Sequence, residues 1–98
     1  MVSKRASALA AIVLLAPTVT LAADPRLLAG TCTTCHGSGG TGSGAVPALK
    51  GRNAASLADA MRAFRDGSRP ATVMGRLAKG FSDDEIDAMV REIEVSWR

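Results

Sequence analysis

The apolar residues in the second half of the chain recur with the period of an α-helix. Leu57, Met61 and Phe64 are spaced at i, i+4 and i+7, so they lie on one face of a predicted helix. Asn53 is a suitable N-cap for this helix, and Gly67 is a suitable residue to end it. No segment alternates apolar and polar residues as a half-buried strand does. The pattern therefore predicts helices joined by loops.

The last segment predicts a second amphipathic helix. Residues 82–85, SDDE, have the sequence of a capping box. The apolar stripe that follows consists of Ile86, Met89, Val90, Ile93 and Trp97. This stripe is expected to face the core.

Shorter helical segments are predicted elsewhere. Asp24 and Pro25 favour the start of a short helix, which runs through Leu27 and Leu28 into the cysteine-containing stretch. A further short turn is expected from Gly75 to Lys79. The predicted fold class is therefore all-α: one small domain of short helices, without repeats.

Residues 1–23 have the parts of a secretory signal peptide. Lys4 and Arg5 form a basic start, residues 8–16 form an apolar run, and small residues follow. The run is shorter than the ~20 residues that span a bilayer. No cysteine stands at the cleavage site, which argues against a lipoprotein anchor. We therefore expect export to the periplasm, with residues 24–98 as the mature domain and no membrane span after cleavage.

The net charge of +3 includes this leader. Without Lys4 and Arg5, ten basic residues stand against nine acidic ones, and the balance of +1 gives little support to a nucleic-acid partner. The charge is nevertheless segregated. Residues 50–79 hold seven basic and two acidic residues, whereas residues 82–98 hold six acidic and two basic residues.

A mature domain of about 75 residues is near the size at which an unaided core becomes marginal. Its aromatic residues are only Phe64, Phe81 and Trp97. A disulfide between Cys32 and Cys35 would close too short a loop to stabilise much. We therefore expect another group to fill the middle of the domain.

Residues 37–44, GSGGTGSG, contain five glycines and are not expected to form regular structure. One interpretation is a disordered linker, but a domain boundary here would leave the preceding motif without a domain of its own. A tight loop around something that approaches the backbone closely fits the sequence better.

The stretch CTTCHG, residues 32–37, contains both cysteines and the single histidine of the chain. Cys-x-x-Cys-His in an exported protein indicates c-type haem, because each thiol adds to one vinyl group and the adjacent histidine binds the iron. Structural zinc requires four ligands, and no Cys or His follows His36. A thioredoxin-like dithiol requires a βαβ context, which the pattern lacks. We therefore predict one covalent haem c, attached through Cys32 and Cys35 with His36 as an axial ligand.

Met74 is the candidate for the other axial position. Met61 and Met89 lie on apolar helical stripes, where a core role is expected, and Met1 belongs to the leader. Met74 lies outside a long periodic segment, next to Gly75, which permits close approach of the backbone. A core role is the alternative, because methionine fills gaps readily. A His/Met pair raises the reduction potential and closes the iron to substrates, which favours electron transfer over catalysis.

Over its whole mature region the chain resembles the class I c-type cytochromes. The shared elements are CTTCHG, the segment VPALKG at residues 46–51, the later methionine and a C-terminal helix. The resemblance implies that the Pro47 carbonyl accepts a hydrogen bond from the free nitrogen of His36, and that Leu49 packs on the haem face. The expected fold is the small class I cytochrome c fold, with short helices packed around one covalent haem.

The first and last helices normally cross in this family. Leu28 stands where an aromatic residue is common, and Trp97 or Ile93 would contact it from the last helix. This departure leaves the ligand assignments unchanged.

Residues 61–89 more narrowly resemble the cytochrome subunit of flavocytochrome c sulfide dehydrogenase. In that subfamily a segment of the pattern F-x-x-G-x-R-P-A-T-V-M-G-R-x-A-K-G-[FY]-[ST] carries the methionine ligand. The matching residues are Phe64, Gly67, Arg69, Pro70, Ala71, Thr72, Val73, Met74, Gly75, Arg76, Ala78, Lys79, Gly80 and Phe81. The resemblance implies a periplasmic haem subunit that is not itself an enzyme. It would take electrons from an FAD-containing, sulfide-oxidising flavoprotein and pass them to a downstream acceptor.

The basic residues near Met74 could steer an acidic partner by complementary charge. Arg69 and Arg76 are the candidates for docking or for contact with the haem propionates. Arg62 and Arg65 are expected mainly to solvate the surface.

Two other functions stay open at this point. A free-standing carrier that serves a terminal oxidase or a photosynthetic reaction centre fits the charge segregation equally well, and only residues 61–89 argue against it. A haem sensor or small-ligand enzyme requires an iron that Met74 does not bind.

Overall fold

The computed structural model describes residues 7–18 and 21–98, which form five short α-helices joined by loops. The helices are α1 (Pro25–Gly30), α2 (Thr33–His36), α3 (Ala54–Asp66), α4 (Met74–Ala78) and α5 (Asp83–Ser96). A 3-10 turn at Ser38–Gly40 interrupts the glycine-rich stretch. The described residues contain no β-strand, only an isolated bridge between Ser43 and Val46. The all-α prediction is confirmed.

Helices α1 and α3 begin at the capping residues that the sequence predicts, and α3 also ends at its predicted residue. The Asp24 carboxylate accepts a hydrogen bond from the Arg26 amide at 2.9 Å at the start of α1. The Asn53 side chain accepts from the Ser56 amide at 2.8 Å at the start of α3. Gly67 ends α3 with a left-handed φ of 82°, which glycine adopts without strain.

The first helix is shorter than predicted. It stops at Gly30, and a separate turn of helix, α2, begins at Thr33. The hydroxyl of Thr31 donates to the Leu28 carbonyl, and that of Thr33 donates to the Gly30 carbonyl, both at 2.7 Å. Glycine is a poor helix former, and hydroxyl groups compete with the backbone for these carbonyls, so the helix breaks before the cysteine motif.

The core lies between α5 and the two helices that pack on it, α1 and α3. Its buried residues are Leu28, Ala29, Leu57, Ala58, Ile86, Met89, Val90 and Ile93. The predicted stripe of α5 is therefore buried, and Trp97 lies half-buried at its margin. Leu28 and Ile93 belong to the same cluster, as expected for crossing first and last helices.

Ion pairs connect α3 to the first turn of α5. Arg62 contacts Asp83 at 3.2 Å and Asp87 at 2.8 Å, and Arg65 contacts Asp83 at 2.6 Å. The Arg65 and Arg62 guanidinium groups hold the pKa of the Asp83 carboxyl below its usual range. Both arginines are thus paired within their own domain, in line with the surface role expected for them. Because these groups are solvent-exposed, the apolar core carries more of the stability.

The described residues of the predicted leader do not belong to this core. Lys4 and Arg5 lie outside the described residues, while residues 7–18 and 21–23 are exposed and form no helix. In the described part of the chain, no helix is long and apolar enough to cross a membrane. Cleavage after residues 1–23 stays a prediction.

We expect Ser82→Ala to lower the free energy of unfolding by about 1 kcal/mol, because it removes one half of a capping box. Ser82 Oγ accepts from the Glu85 amide at 3.2 Å, and Glu85 Oε1 accepts from the Ser82 amide at 3.0 Å. Urea unfolding followed by circular dichroism measures the change. Ser96→Ala, at the opposite end of α5, is the matched control and should have little effect. An equal loss in both variants would contradict a specific role of the cap.

Candidate haem site

The cysteine motif forms a single helical turn. Cys32 caps α2, which contains Cys35 and ends with His36. The His36 amide donates to the Cys32 carbonyl at 2.9 Å, and Gly37 then ends the helix with φ 87°. The two thiols and the imidazole are therefore presented by one short, hydrogen-bonded segment, and both cysteines are free.

The two thiols have different surroundings. Cys32 Sγ lies 3.9 Å from the Sδ atom of Met89, which is 1% exposed in the core. Burial raises the pKa of the Cys32 thiol, although a hydrogen bond with Thr31 opposes the shift. Cys35 is exposed. The first thiol is thus held against α5, whereas the second is open to solvent.

The His36 ring is buried and oriented by one hydrogen bond. Its side chain is 8% exposed, and Nδ1 lies 2.6 Å from the carbonyl oxygen of Pro47. Because a carbonyl can only accept, Nδ1 carries the proton and donates. The other nitrogen, Nε2, then has a free lone pair and makes no hydrogen bond within the described part of the chain. An imidazole in this tautomer, with Nδ1 held by a hydrogen bond and Nε2 free, is the form that binds iron.

The glycine-rich stretch is a compact loop. The Gly42 amide donates to the His36 carbonyl at 2.6 Å, and the Gly40 carbonyl accepts from the amides of Leu49 and Lys50 at 2.8 and 3.0 Å. A Cβ atom on Gly42 would lie 3.1 Å from the Ala48 amide nitrogen, so the close approach of the two chain segments depends on glycine here. The tight-loop interpretation is confirmed over the disordered linker, and this folding brings Pro47 to His36.

The chemistry of these groups fits a c-type haem. Two free thiols lie on one helical turn with the imidazole whose Nε2 is available. Among the described residues, no group of three or more His, Cys, Asp or Glu side chains could hold a metal ion by itself. The donor set therefore suits an iron held mainly by a macrocycle better than a structural zinc ion.

Met74 is the first residue of α4 and is half-buried. Unlike Met61 and Met89, it does not belong to the core cluster or pack against it. A Cβ atom on Gly75 would lie 3.5 Å from the Phe64 carbonyl, an ordinary van der Waals distance. The close approach expected at this glycine is therefore only that of α4 to the end of α3. Leu49 is half-buried and packs against the core cluster.

Arg69, Arg76 and Lys79 line an open pocket of about 390 Å³ between the end of α3 and α4. We call these three residues the cationic pocket, although Arg65 and the acidic Asp66 also line it. The Arg69 guanidinium lies over the Phe64 ring, 4.8 Å from its centroid. None of the three forms an ion pair with a carboxylate of the described residues. The pocket is not lined by the candidate haem-binding residues, Cys32, Cys35, His36 and Met74. The three cations therefore lie together, apart from these residues.

Sequence reasoning left two parts of this arrangement unassigned. Lys79 was not singled out as a site residue, although it belongs to the basic segment of residues 50–79 and lines the pocket. Gly40 was not singled out either, and no local sequence signal could show that it lies against Trp97, 57 residues later.

One known protein family matches most of the chain. Residues 21–91 match the family model described as cytochrome C oxidase, cbb3-type, subunit III. The matched region includes the cysteine motif, the glycine-rich loop, Met74 and most of α5.

Individual relatives are similar over the same domain. The chain is 40% identical over 61 residues to the cytochrome subunit of sulfide dehydrogenase of Chlorobaculum tepidum, covering 62% of this chain and 56% of that protein. It is 42% identical over 62 residues to the thiosulfate dehydrogenase electron acceptor of Stutzerimonas stutzeri, covering 59% of this chain and 29% of that protein. It is 41% identical over 61 residues to cytochrome c-554(548) of Halomonas halodenitrificans, covering 58% of this chain and 74% of that protein.

The chain thus spans little more than half of the Chlorobaculum protein and less than a third of the Stutzerimonas protein. This chain has a helical fold, a Cys-x-x-Cys-His turn and the family match, and the cytochrome c family implies haem c and electron transfer. The chain therefore belongs to the class I c-type cytochromes, with its match in the family of cbb3-type cytochrome c oxidase subunit III.

Proposed function

We propose that this chain is a periplasmic monohaem cytochrome that accepts electrons from an FAD-containing, sulfide-oxidising flavoprotein and passes them to a downstream acceptor. The observation that supports this most strongly is the sequence of residues 64–81, which resembles the methionine segment of sulfide dehydrogenase cytochrome subunits. The identity of 40% with such a subunit from Chlorobaculum tepidum agrees with this resemblance. Sulfide oxidation itself would belong to the flavoprotein.

One covalent haem c would be held by four residues. Cys32 and Cys35 would form its two thioether bonds, and His36 and Met74 would bind its iron. The haem supplies an iron couple that exchanges one electron at a time. The free thiols on one turn and the unpaired Nε2 of His36 support the first three assignments. The position of Met74 outside the core supports the fourth.

The surrounding residues would keep this site rigid. The Pro47 carbonyl accepts a hydrogen bond from His36 Nδ1, which fixes the ring and would make Nε2 a better donor to the iron. Burial of the His36 ring limits the water that must reorganise around it. Leu49 would contribute an apolar contact to the haem, and Arg69 and Arg76 would contribute positive charge near the haem or at its edge.

The cationic pocket would be the docking surface for the flavoprotein. Arg69, Arg76 and Lys79 have no acidic partner among the described residues, whereas Arg62 and Arg65 are paired with α5. Unpaired cations around an open pocket attract an acidic surface and raise the rate of association. The basic and acidic halves of the domain would also orient the chain during approach.

A free-standing electron carrier is the second candidate function. The 41% identity to cytochrome c-554(548) of Halomonas halodenitrificans, over 74% of that protein, favours it. In that case a terminal oxidase or a photosynthetic reaction centre would receive the electrons. An open-iron sensor would instead require Met74 to leave the iron free.

Purification of the holoprotein from periplasm tests the choice of partner. We expect an FAD-containing protein to co-purify in stoichiometric amount and to reduce the haem when sulfide is added. Changing Arg69, Arg76 and Lys79 to glutamate should slow this association about tenfold or more at low salt, because it reverses the charge of the pocket. Arg91→Glu, an exposed charge reversal on α5, is the control and should have a much smaller effect.

Two outcomes would contradict the proposal. If only transient contacts are found and no flavoprotein co-purifies, the carrier function replaces it. If Arg91→Glu slows association as much as the triple variant, the cationic pocket is not the docking surface.

A further inference from the structure

We propose that Trp97 is a positioning residue for the axial ligand His36, and that it acts through the loop of residues 37–51, which we call the ligand loop. This inference rests on the proposed haem site. It assigns to the ring and carbonyl of Trp97 the task of holding the loop so that the Pro47 carbonyl stays on His36. Three sets of contacts carry the inference.

The first contact is between the Trp97 ring and Gly40. A Cβ atom built on Gly40 would lie 2.6 Å from Trp97 Cε3 and 3.0 Å from Cζ3, closer than such atoms come in real structures. It would also lie 3.2 Å from the Cβ atom of Leu49. The indole ring thus occupies the space that a side chain at position 40 would need. It packs directly on the backbone of Gly40, which is buried.

The second contact joins the other end of the loop to the same residue. The Gly51 amide donates to the Trp97 carbonyl at 2.9 Å. Trp97 is in turn fixed to α5, since its amide donates to the carbonyl of Ile93 at 2.9 Å, and Ile93 is only 3% exposed. One residue therefore ties both Gly40 and Gly51 to the most deeply buried helix of the domain.

The third set of contacts leads from Gly40 to the imidazole. The Gly40 carbonyl accepts from the Leu49 amide at 2.8 Å, and Leu49 lies two residues after Pro47. The Pro47 carbonyl oxygen is 2.6 Å from His36 Nδ1. A displacement of Gly40 would therefore move the segment that carries the Pro47 carbonyl.

The expected consequence is a change in the donor strength of His36. A short hydrogen bond from Nδ1 to a carbonyl increases the basicity of Nε2, and a more basic axial ligand favours the oxidised iron. Loss of the Trp97 contact would lengthen this bond and shift the reduction potential upward. A residue that only filled the core would lower stability without this directional shift.

Two glycines give a matched pair of variants for the test. Gly40 has φ +70° and Gly39 has φ +62°, so alanine is strained by the backbone at both positions. Only at Gly40 does the new methyl group meet Trp97, because nothing lies within 4 Å of a Cβ atom on Gly39. A difference between Gly40→Ala and Gly39→Ala therefore reports the contacts of position 40, of which the one with Trp97 is shorter than the one with Leu49, and not the backbone strain.

The experiment measures the reduction potential of each holoprotein and the hydrogen exchange of the Gly51 and Leu49 amides. We expect Gly40→Ala and Trp97→Leu each to raise the potential and to speed exchange at these amides by about tenfold. Gly39→Ala should leave both readouts near those of the wild type. In the double variant Gly40→Ala/Trp97→Leu, the shift in potential should be clearly smaller than the sum of the shifts in the two single variants. The reason is that both changes disturb the same contact.

The outcomes separate this inference from the haem assignment on which it rests. A wild-type protein without haem would overturn the proposed function itself. A holoprotein in which Gly40→Ala and Gly39→Ala shift the potential equally would overturn the role of Trp97 alone. If Trp97→Leu does not fold, the comparison of the two glycine variants still decides the question.

Discussion

Replacing Met74 with alanine is expected to abolish the iron–thioether charge-transfer band of the oxidised holoprotein and to lower its reduction potential. A thioether ligand stabilises the reduced iron, so its removal favours the oxidised form and opens a coordination position. Met74 is half-buried at the start of a five-residue helix and is not part of the core. Its side chain is therefore available for a ligand role, and its loss should cost the fold less than the loss of a core methionine. The absorption spectrum and a redox titration measure the two effects.

The other methionines of the domain are natural controls. Met89 is 1% exposed in the core beside Cys32, and Met89→Ala should lower the free energy of unfolding by about 2–5 kcal/mol while the band remains. Met61 is half-buried against the same core, so Met61→Ala should cost less stability and also keep the band. If either of these variants loses the band and Met74→Ala keeps it, the axial assignment is wrong. A wild-type spectrum without the band would instead favour an iron open to small ligands.

The local features of the fold could be predicted from the sequence because they depend on neighbouring residues. The caps at Asp24, Asn53 and Ser82 each bond to an amide two or three residues away, and a short motif contains all the information required. The apolar stripe of α5 was predictable for the same reason, since a helical period fixes which residues share a face. The early end of α1 was missed because it depends on the competing hydroxyl bonds of Thr31 and Thr33.

The site is a different case, because its contacts join distant parts of the chain. The residue types in CTTCHG identify the chemistry, yet the sequence alone says nothing about which surroundings each thiol has. That Cys32 lies against Met89, 57 residues later, follows only from the packing of α5. The contact of Trp97 with Gly40 and the grouping of Lys79 with Arg69 and Arg76 likewise arise from tertiary structure. Only the family resemblance indicated which group accepts the hydrogen bond from His36 Nδ1. The structure places the Pro47 carbonyl oxygen 2.6 Å from this nitrogen.

Changing both Cys32 and Cys35 to serine is expected to leave a protein from which acidified acetone extracts the haem completely. In the wild type the haem should stay with the polypeptide, because two thioether bonds survive when the protein unfolds. The pyridine haemochrome spectrum adds a second readout, since its position depends on how many vinyl groups have been saturated by thiols. Serine keeps the size and polarity of the side chain but cannot form these bonds under the same conditions.

The single variants should differ, because the two cysteines lie in different surroundings. Cys32→Ser places a hydroxyl group beside the buried Met89 sulfur, whereas Cys35→Ser changes an exposed position. A half-buried hydroxyl without a good partner is destabilising, so Cys32→Ser should lower stability more than Cys35→Ser, although each variant would lose one thioether bond.

Thr34→Ala, an exposed change between the two cysteines, is the control and should keep the haem fully attached. Haem that is extracted from the wild type as easily as from the double variant would show that attachment is not covalent. Such a result would favour the dithiol interpretation of the motif, in which Cys32 and Cys35 form a reversible disulfide. Because a disulfide across so short a loop contributes little stability, the haem would in that case stabilise the small core without a covalent bond to the chain.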